Sequence, residues 1–406
     1  MRIRKAATLA VAVGVWCTCA WLLTRTSVPS LNTSGLDPHR YFSQRSLDRA
    51  ASYTRGVEVL WLLSTAATLA ALVVLARLLP PKVRSIGLGR IGSAVIVGMV
   101  LIVGLWFVGL PFSFAELWWQ HHWGLGPFDI LAWLSGQWSL LAPAALSALA
   151  TIVLLVGLAG RFRRWWLVAT PVVVVIAALF AFVSGWLLAA SAHPLRNQQL
   201  TADAQRMERL EHVTGTPVSV QDVSTWTDQP NAYTVGFGPS TQVILWNTLL
   251  DDRFTRGEKV VVIAHELGHV RSRHIIKGIG WTALVVLPTL WILALATRRR
   301  GGVGDPANLP FVILVLTVIG LLTAPIQNVV SRRYEAEADW RALNATHDPV
   351  SARKLFQTFE RTSLENPSPP TWDYLWLETH PTLAQRIAMV ERWSSARRSR
   401  AGPGSP

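Results

Sequence analysis

Apolar stretches long enough to cross a bilayer recur along this chain, and no other feature restricts its fold as much. A predominantly apolar run of about 20 residues enters hydrocarbon as a helix, because every backbone N–H and C=O must be satisfied within the segment. Seven such runs are read, at about Ala6 to Leu23, Val57 to Leu79, Ile91 to Leu110, Leu140 to Ala159, Trp166 to Ala190, Gly280 to Ala296 and Leu309 to Ala324. The first follows Met1-Arg2-Ile3-Arg4-Lys5, as a signal peptide would, but it is long and no A-x-A site follows, so a retained span is favoured. Pro80-Pro81 is expected to stop the second run. With 51% hydrophobic and 15% charged residues, the 406-residue chain does not have the composition of an ordinary soluble enzyme.

The net charge of +14 raises the question of nucleic acid. The arginines, however, cluster beside the apolar runs instead of forming one basic and aromatic surface, so they read as membrane-flanking charge and no nucleic-acid partner is expected. Trp118, Trp119, Trp165 and Trp166 also flank apolar runs, where interfacial tryptophans belong. Cys17 and Cys19, the two cysteines, share one run and make neither a disulfide framework nor a zinc quartet. Lysine supplies only five of the 38 basic residues, an arginine bias in keeping with a GC-rich bacterial genome. An integral, multi-pass protein of a bacterial cytoplasmic membrane is therefore expected.

Between the fifth and sixth runs the character changes. Leu200 to Val213 has an amphipathic helical pattern, Val218 to Val223 reads as a strand, and Asn231 to Phe237 with Gln242 to Trp246 reads as a hairpin. The expected organisation is a five-span region 1–192, a soluble module 193–279, the sixth and seventh spans within 280–325, a helical continuation of the catalytic module 326–395, and a disordered tail 396–406.

The soluble module ends in His265-Glu266-Leu267-Gly268-His269. On a helix His265 and His269 share a face and can point at one ion, while Glu266 is turned about 100° away, where a general base beside the metal would sit. A three-position match of this kind arises by accident in roughly one such chain per hundred. The helix is expected to run on through Ile275 and Ile276 into the sixth span, with His274 on its surface. Past the seventh span, Glu335 and Asp339 are again four apart and share a face, with Glu337 turned away. Glu335 can serve as a third ligand, and Asp339 can accept a hydrogen bond from the free ring nitrogen of a ligand histidine. The alternative is a solvated acidic helix face. Topology argues against it, because the chain leaves the histidines' side by the sixth span and returns to that side by the seventh. Two His and one Glu with an open fourth position make up a hydrolytic Zn2+ site, one ion per chain.

The HExxH pattern of His265 to His269 followed by Glu335-xxx-Asp339 resembles that of the gluzincins. Its setting is similar to the integral-membrane zinc endopeptidases typified by the type I CAAX prenyl protease and its HtpX-like relatives. The matching segments are Leu110-Pro111-Phe112-Ser113, Asn231-Ala232-Tyr233, Val243 to Leu250, Ser331-Arg332-Arg333-Tyr334-Glu335, and His380-Pro381 with Gln385-Arg386. The resemblance implies a mainly α, polytopic membrane fold with about seven transmembrane helices and a zincin-like α+β catalytic module. It also implies that His265, His269 and Glu335 bind zinc, Glu266 activates water, and Asp339 orients a ligand histidine. By the same resemblance the Asn231-Ala232 strand pairs with an extended substrate, His380 stabilises the oxyanion, and Arg386 steadies the site. Thr234 stands where the relatives have an aromatic residue, which puts the substrate channel in question.

The implied activity is cleavage of hydrophobic, membrane-associated or CAAX-type peptides and proteins in contact with the lipid bilayer. The rival readings are an inactive, zinc-stabilised scaffold that binds peptides, and a seven-span transporter or receptor, which leaves Glu335 and Asp339 without a role. Arginines on Met1's side place the catalytic residues outside by the positive-inside rule, whereas the resemblance implies a cytosolic site. The side and the oligomeric state are left open.

Overall fold

The computed structural model describes residues 2–29, 36–84 and 87–401. In chain order the helices are α1 (Arg2–Thr24), α2 (Gln44–Arg84), α3 (Gly89–His122), α4 (Ile130–Arg161), α5 (Trp165–Ala189), α6 (Gln198–Leu210), α7 (Arg256–Arg271), α8 (His274–Thr297), α9 (Leu309–Thr346), α10 (Pro349–Ser363), α11 (Thr371–Trp376) and α12 (Leu383–Ala401). The strands are β1 (His193–Pro194), β2 (Val218–Gln221), β3 (Ala232–Val235) and β4 (Gln242–Trp246). Six of the described helices, α2, α3, α4, α5, α8 and α9, are long and apolar enough to span a membrane. The first expected span is helical as α1, but its apolar part described here, Ala10–Thr24, is shorter than a spanning helix. Side chains such as Leu131 (79% exposed) and Leu146 (72% exposed) would be costly in water and suit hydrocarbon. The chain is an integral, multi-pass membrane protein.

Pro80, Pro81 and Pro111 lie inside α2 and α3 instead of ending them. A helix that gains stability by filling hydrocarbon along its whole length tolerates the loss of single backbone bonds. Residues 396–401 of the expected tail continue α12, and 402–406 lie outside the described residues.

The chain divides into two compact units. One, Arg55–Ala177 with Thr282–Thr323, is helical; there Gly98 of α3 lets α4 approach, since a Cβ would stand 3.0 Å from Leu149. The other, Met1–Thr54 with Ala178–Trp281 and Ala324–Pro406, holds the sheet and every candidate site residue. Its sheet runs β1-β2-β4-β3, with β2 and β4 parallel and the outer pairs antiparallel. The expected hairpin is the β3–β4 pair, in register from Ala232 opposite Leu245 to Val235 opposite Gln242.

Helix α7 is the centre of this second unit. Thr255 caps its N-terminus in a reciprocal capping box with Glu258, satisfying otherwise orphaned amides. Its apolar residues Val261, Val262, Ile263, Ala264 and Leu267 are buried in one core with Leu200 and Met207 of α6, Val243 and Leu245 of β4, Leu355 of α10 and Ile387 of α12. Such burial contributes about 1.5–3 kcal/mol per large side chain, enough to hold a helix that carries His265 and Glu266 on buried positions.

Candidate metal centre

Gly268 sets how closely α7 meets α9. A Cβ at Gly268 would stand 3.3 Å from the Ala338 Cα and carbonyl oxygen and 3.2 Å from the Arg341 Cβ, so the helices touch there backbone to backbone. That approach brings His265 and His269 from one helix against Glu335 and Asp339 from the other. His265 Nε2 and His269 Nε2 are 3.0 Å apart, and Glu335 Oε2 lies 3.2 Å from the first and 3.5 Å from the second. All three donor atoms fall within 4.8 Å of one another.

These separations fit a metal ion. Ligand atoms about 2.0–2.1 Å from a tetrahedral centre stand roughly 3.3 Å apart. Glu335 Oε2 is buried and accepts no hydrogen bond among the described residues, an orphan that a cation would satisfy. Burial by itself draws the His265 imidazole down, but the Asp339 hydrogen bond and the carboxylates of Asp339 and Glu335 push it up to about 10. With Nε2 deprotonated on both histidines, three lone pairs converge on one point.

The surrounding side chains fix these donors. His265 Nδ1 donates to Asp339 Oδ1 at 2.8 Å, leaving Nε2 to face the cluster. Arg386 of α12 donates two bonds to the same carboxylate, at 2.7 and 2.6 Å, with its guanidinium 4.3 Å above the Phe356 ring. Glu266, 6% exposed, lies beside the histidines and receives the Thr234 hydroxyl at 2.9 Å. His380 Nε2 is 3.3 Å from Glu335 Oε2, with half of its side chain open. His265, Glu266, Asp339, His380 and Arg386 all line one cavity, of about 200 Å³, together with Asn231 and Ala232.

The strand at that cavity is β3, on the edge of the sheet. Trp246 N–H donates to the Asn231 carbonyl, so by antiparallel alternation the Ala232 backbone faces away from β4. The Ala232 N–H is bonded to the Asn231 side chain at 2.8 Å. Every site residue expected from the sequence thus lies in one neighbourhood.

The residue pattern does not show the contacts that Thr234, His274 and Glu337 make here. The Thr234 hydroxyl touches Glu266. His274 is buried, not on a helix surface, and Glu337 is buried beside it. The expected unbroken helix stops at Arg271, and Arg273 takes the left-handed conformation, with φ 54°, before α8 begins. The spacing of His274 from His269 was the available signal, but its meaning depends on that break.

The model of peptidase family M48 matches residues 194–394, which hold all the residues above. Those residues, just under half of the chain, resemble peptidase family M48. The chain is 26% identical over 247 residues to the uncharacterized metalloprotease YhfN of Bacillus subtilis, covering 58% of each chain. A CAAX prenyl protease 1 homolog of Oryza sativa subsp. japonica is 28% identical over 199 residues, 46% of each chain. A protease HtpX homolog of Methylibium petroleiphilum is 32% identical over 167 residues, covering 40% of this chain and 56% of that one. The chain thus spans about half the length of these curated relatives. The crystal structure of S. mikatae Ste24p has the same fold, with a TM-score of 0.68 over 94% of this chain and 97% of that one at 18% identity.

Proposed function

We propose that the chain is a zinc-dependent membrane endopeptidase that cleaves hydrophobic, membrane-associated or CAAX-type peptides. The observation that carries this reading is the convergence of His265 Nε2, His269 Nε2 and the orphaned Glu335 Oε2 beside Glu266. His265, His269 and Glu335 hold the ion. When bound, it supplies Lewis acidity that lowers the pKa of water and polarises a substrate carbonyl. Glu266 takes the proton from the attacking water and passes it to the departing amide nitrogen. Thr234 holds the Glu266 carboxylate in place for both transfers. His380 donates from the open side of the cavity to the oxyanion that develops on the carbonyl. Asp339, fixed by Arg386, keeps the His265 proton on Nδ1. The outward backbone groups of Ala232 align an extended peptide along β3, with Asn231 releasing the amide it now covers.

The scaffold reading survives only if zinc binds without turnover, and the presence of Glu266 argues against it. The test compares the purified full chain in detergent with Glu266→Gln. Zinc content is measured by atomic absorption and cleavage with a quenched hydrophobic peptide. Both proteins should bind one zinc and only the wild type should cleave. Equal cleavage by both would sink the mechanism, and stoichiometric zinc with no cleavage by the wild type would favour the scaffold.

A further inference from the structure

His269 is braced from behind by a second imidazole. Its Nε2 faces the donor cluster, and its Nδ1 lies 2.8 Å from His274 Nδ1. The other nitrogen of His274, Nε2, lies 3.0 Å from Glu337 Oε2. On an unbroken helix, residues five apart point about 140° away from each other and these rings could not meet. The break at Ser272 and Arg273 turns α8 so that they do. A non-glycine residue at positive φ is disfavoured, so other contacts must hold the turn.

The directions of the hydrogen bonds follow from the donor inventory of the two rings. If His269 Nε2 offers its lone pair to a cation, its proton is on Nδ1, which donates. His274 Nδ1 must then accept, so the His274 proton is on Nε2 and goes to Glu337. Glu337 is a fixed acceptor: its Oε1 receives the Ser27 amide and hydroxyl, both at 2.8 Å, and its Oε2 lies 3.3 Å from Lys277 Nζ. The His274 plane is set by the Tyr334 ring, stacked at 4.5 Å and 10°. Tyr334 is itself tied to the Leu23 carbonyl and the Trp281 indole.

We infer that His274 and Glu337 are positioning residues that lock His269 in its metal-binding tautomer and orientation, with Ser27, in the segment after α1, completing the brace. This rests on the proposed zinc site. It assigns His269 a relay separate from the Asp339–Arg386 brace of His265.

The experiment measures zinc affinity of the full chain in detergent by competition with a chromophoric chelator, alongside the visible absorption of the Co2+-loaded protein. His274→Phe keeps the stack on Tyr334 but cannot accept from His269. It should weaken zinc binding about 10- to 100-fold, the usual effect of losing such an outer partner, and shift the cobalt bands. His274→Asn, whose Oδ1 can accept the same N–H, should recover most of the affinity. Glu337→Met should lose affinity severalfold alone and add little on top of His274→Phe. Wild-type affinity and cobalt bands in His274→Phe, or losses that simply add, would overturn the relay. If His274→Phe lowers the metal-free melting temperature, Glu337→Met carries the test with the same two outcomes. A wild-type chain that takes up no zinc removes the metal-site reading itself, and the relay with it.

Discussion

Replacing Arg386 by methionine removes the arginine partner of Asp339 and leaves the carboxylate with the His265 ring alone. Both side chains are nearly inaccessible, at 8% and 4%, and are joined by two charge-assisted hydrogen bonds of 2.6 and 2.7 Å. Bonds of that kind contribute about 1.5–3 kcal/mol each, and stranding one member of a buried pair costs about 3–5 kcal/mol. Methionine keeps part of the contact with Phe356, so a net loss of about 3–4 kcal/mol is expected, toward the lower end of that range. In a unit of this size each kcal/mol lowers the melting temperature by about 2–4 °C, so the shift should be roughly 6–16 °C. The assay is thermal unfolding of metal-free protein in detergent, followed by tryptophan fluorescence at one fixed scan rate. Adding Asp339→Leu to Arg386→Met removes both charges and should return part of the loss, because no unpaired ion stays buried. A single variant melting within about 2 °C of wild type would refute the reasoning, since it would show that the His265 ring by itself satisfies the buried Asp339 carboxylate.

Two further outcomes follow from the same geometry. Gly268→Ala gains up to about 1 kcal/mol of helix propensity but overpacks a backbone contact at a cost of about 1–3 kcal/mol, so a modest net loss is expected. The contact lies beside His269 and Asp339, so zinc affinity should fall with it. A higher melting temperature with unchanged affinity would show that α7 and α9 separate freely. Burial is the main reason that the Glu365 carboxyl, on the wall of the same cavity, is pushed up from 4.5 to about 7. A raised carboxyl favours the protonated form in the fold, so wild-type stability declines as pH rises from about 4.5 through about 7. Glu365→Gln should lack that decline; parallel melting curves for the two proteins between pH 5 and pH 8 would contradict it.

Much of this protein was legible in the residue pattern, because the pattern reports what a single element does. Spanning runs announce helices whose solvent is hydrocarbon, and the i, i+4 spacings of His265 with His269 and of Glu335 with Asp339 announce one face each. The alternating strands and the turn between them announced the β3–β4 hairpin. Asn231, Ala232, His380 and Arg386 came from resemblance, and the fold brings them to one cavity.

What the pattern could not carry are relations between elements. The parallel pairing of β2 with β4 depends on a connection through β3 that no local signal specifies. The contact of the Thr234 hydroxyl with Glu266 requires β3 to lie against α7. His274 reads as a surface residue on a continuous helix and becomes the brace of His269 only because the backbone breaks at Arg273. Glu337, turned away from Glu335 on its own helix, is useful for that very reason, since it faces α8 and the segment after α1. The sequence by itself determined the helices, the donor types and the spacing of the ligands along each helix. Which nitrogen of His265 and of His269 faces Glu335 was decided by tertiary structure alone, because a ring's tautomer follows from what touches its other nitrogen.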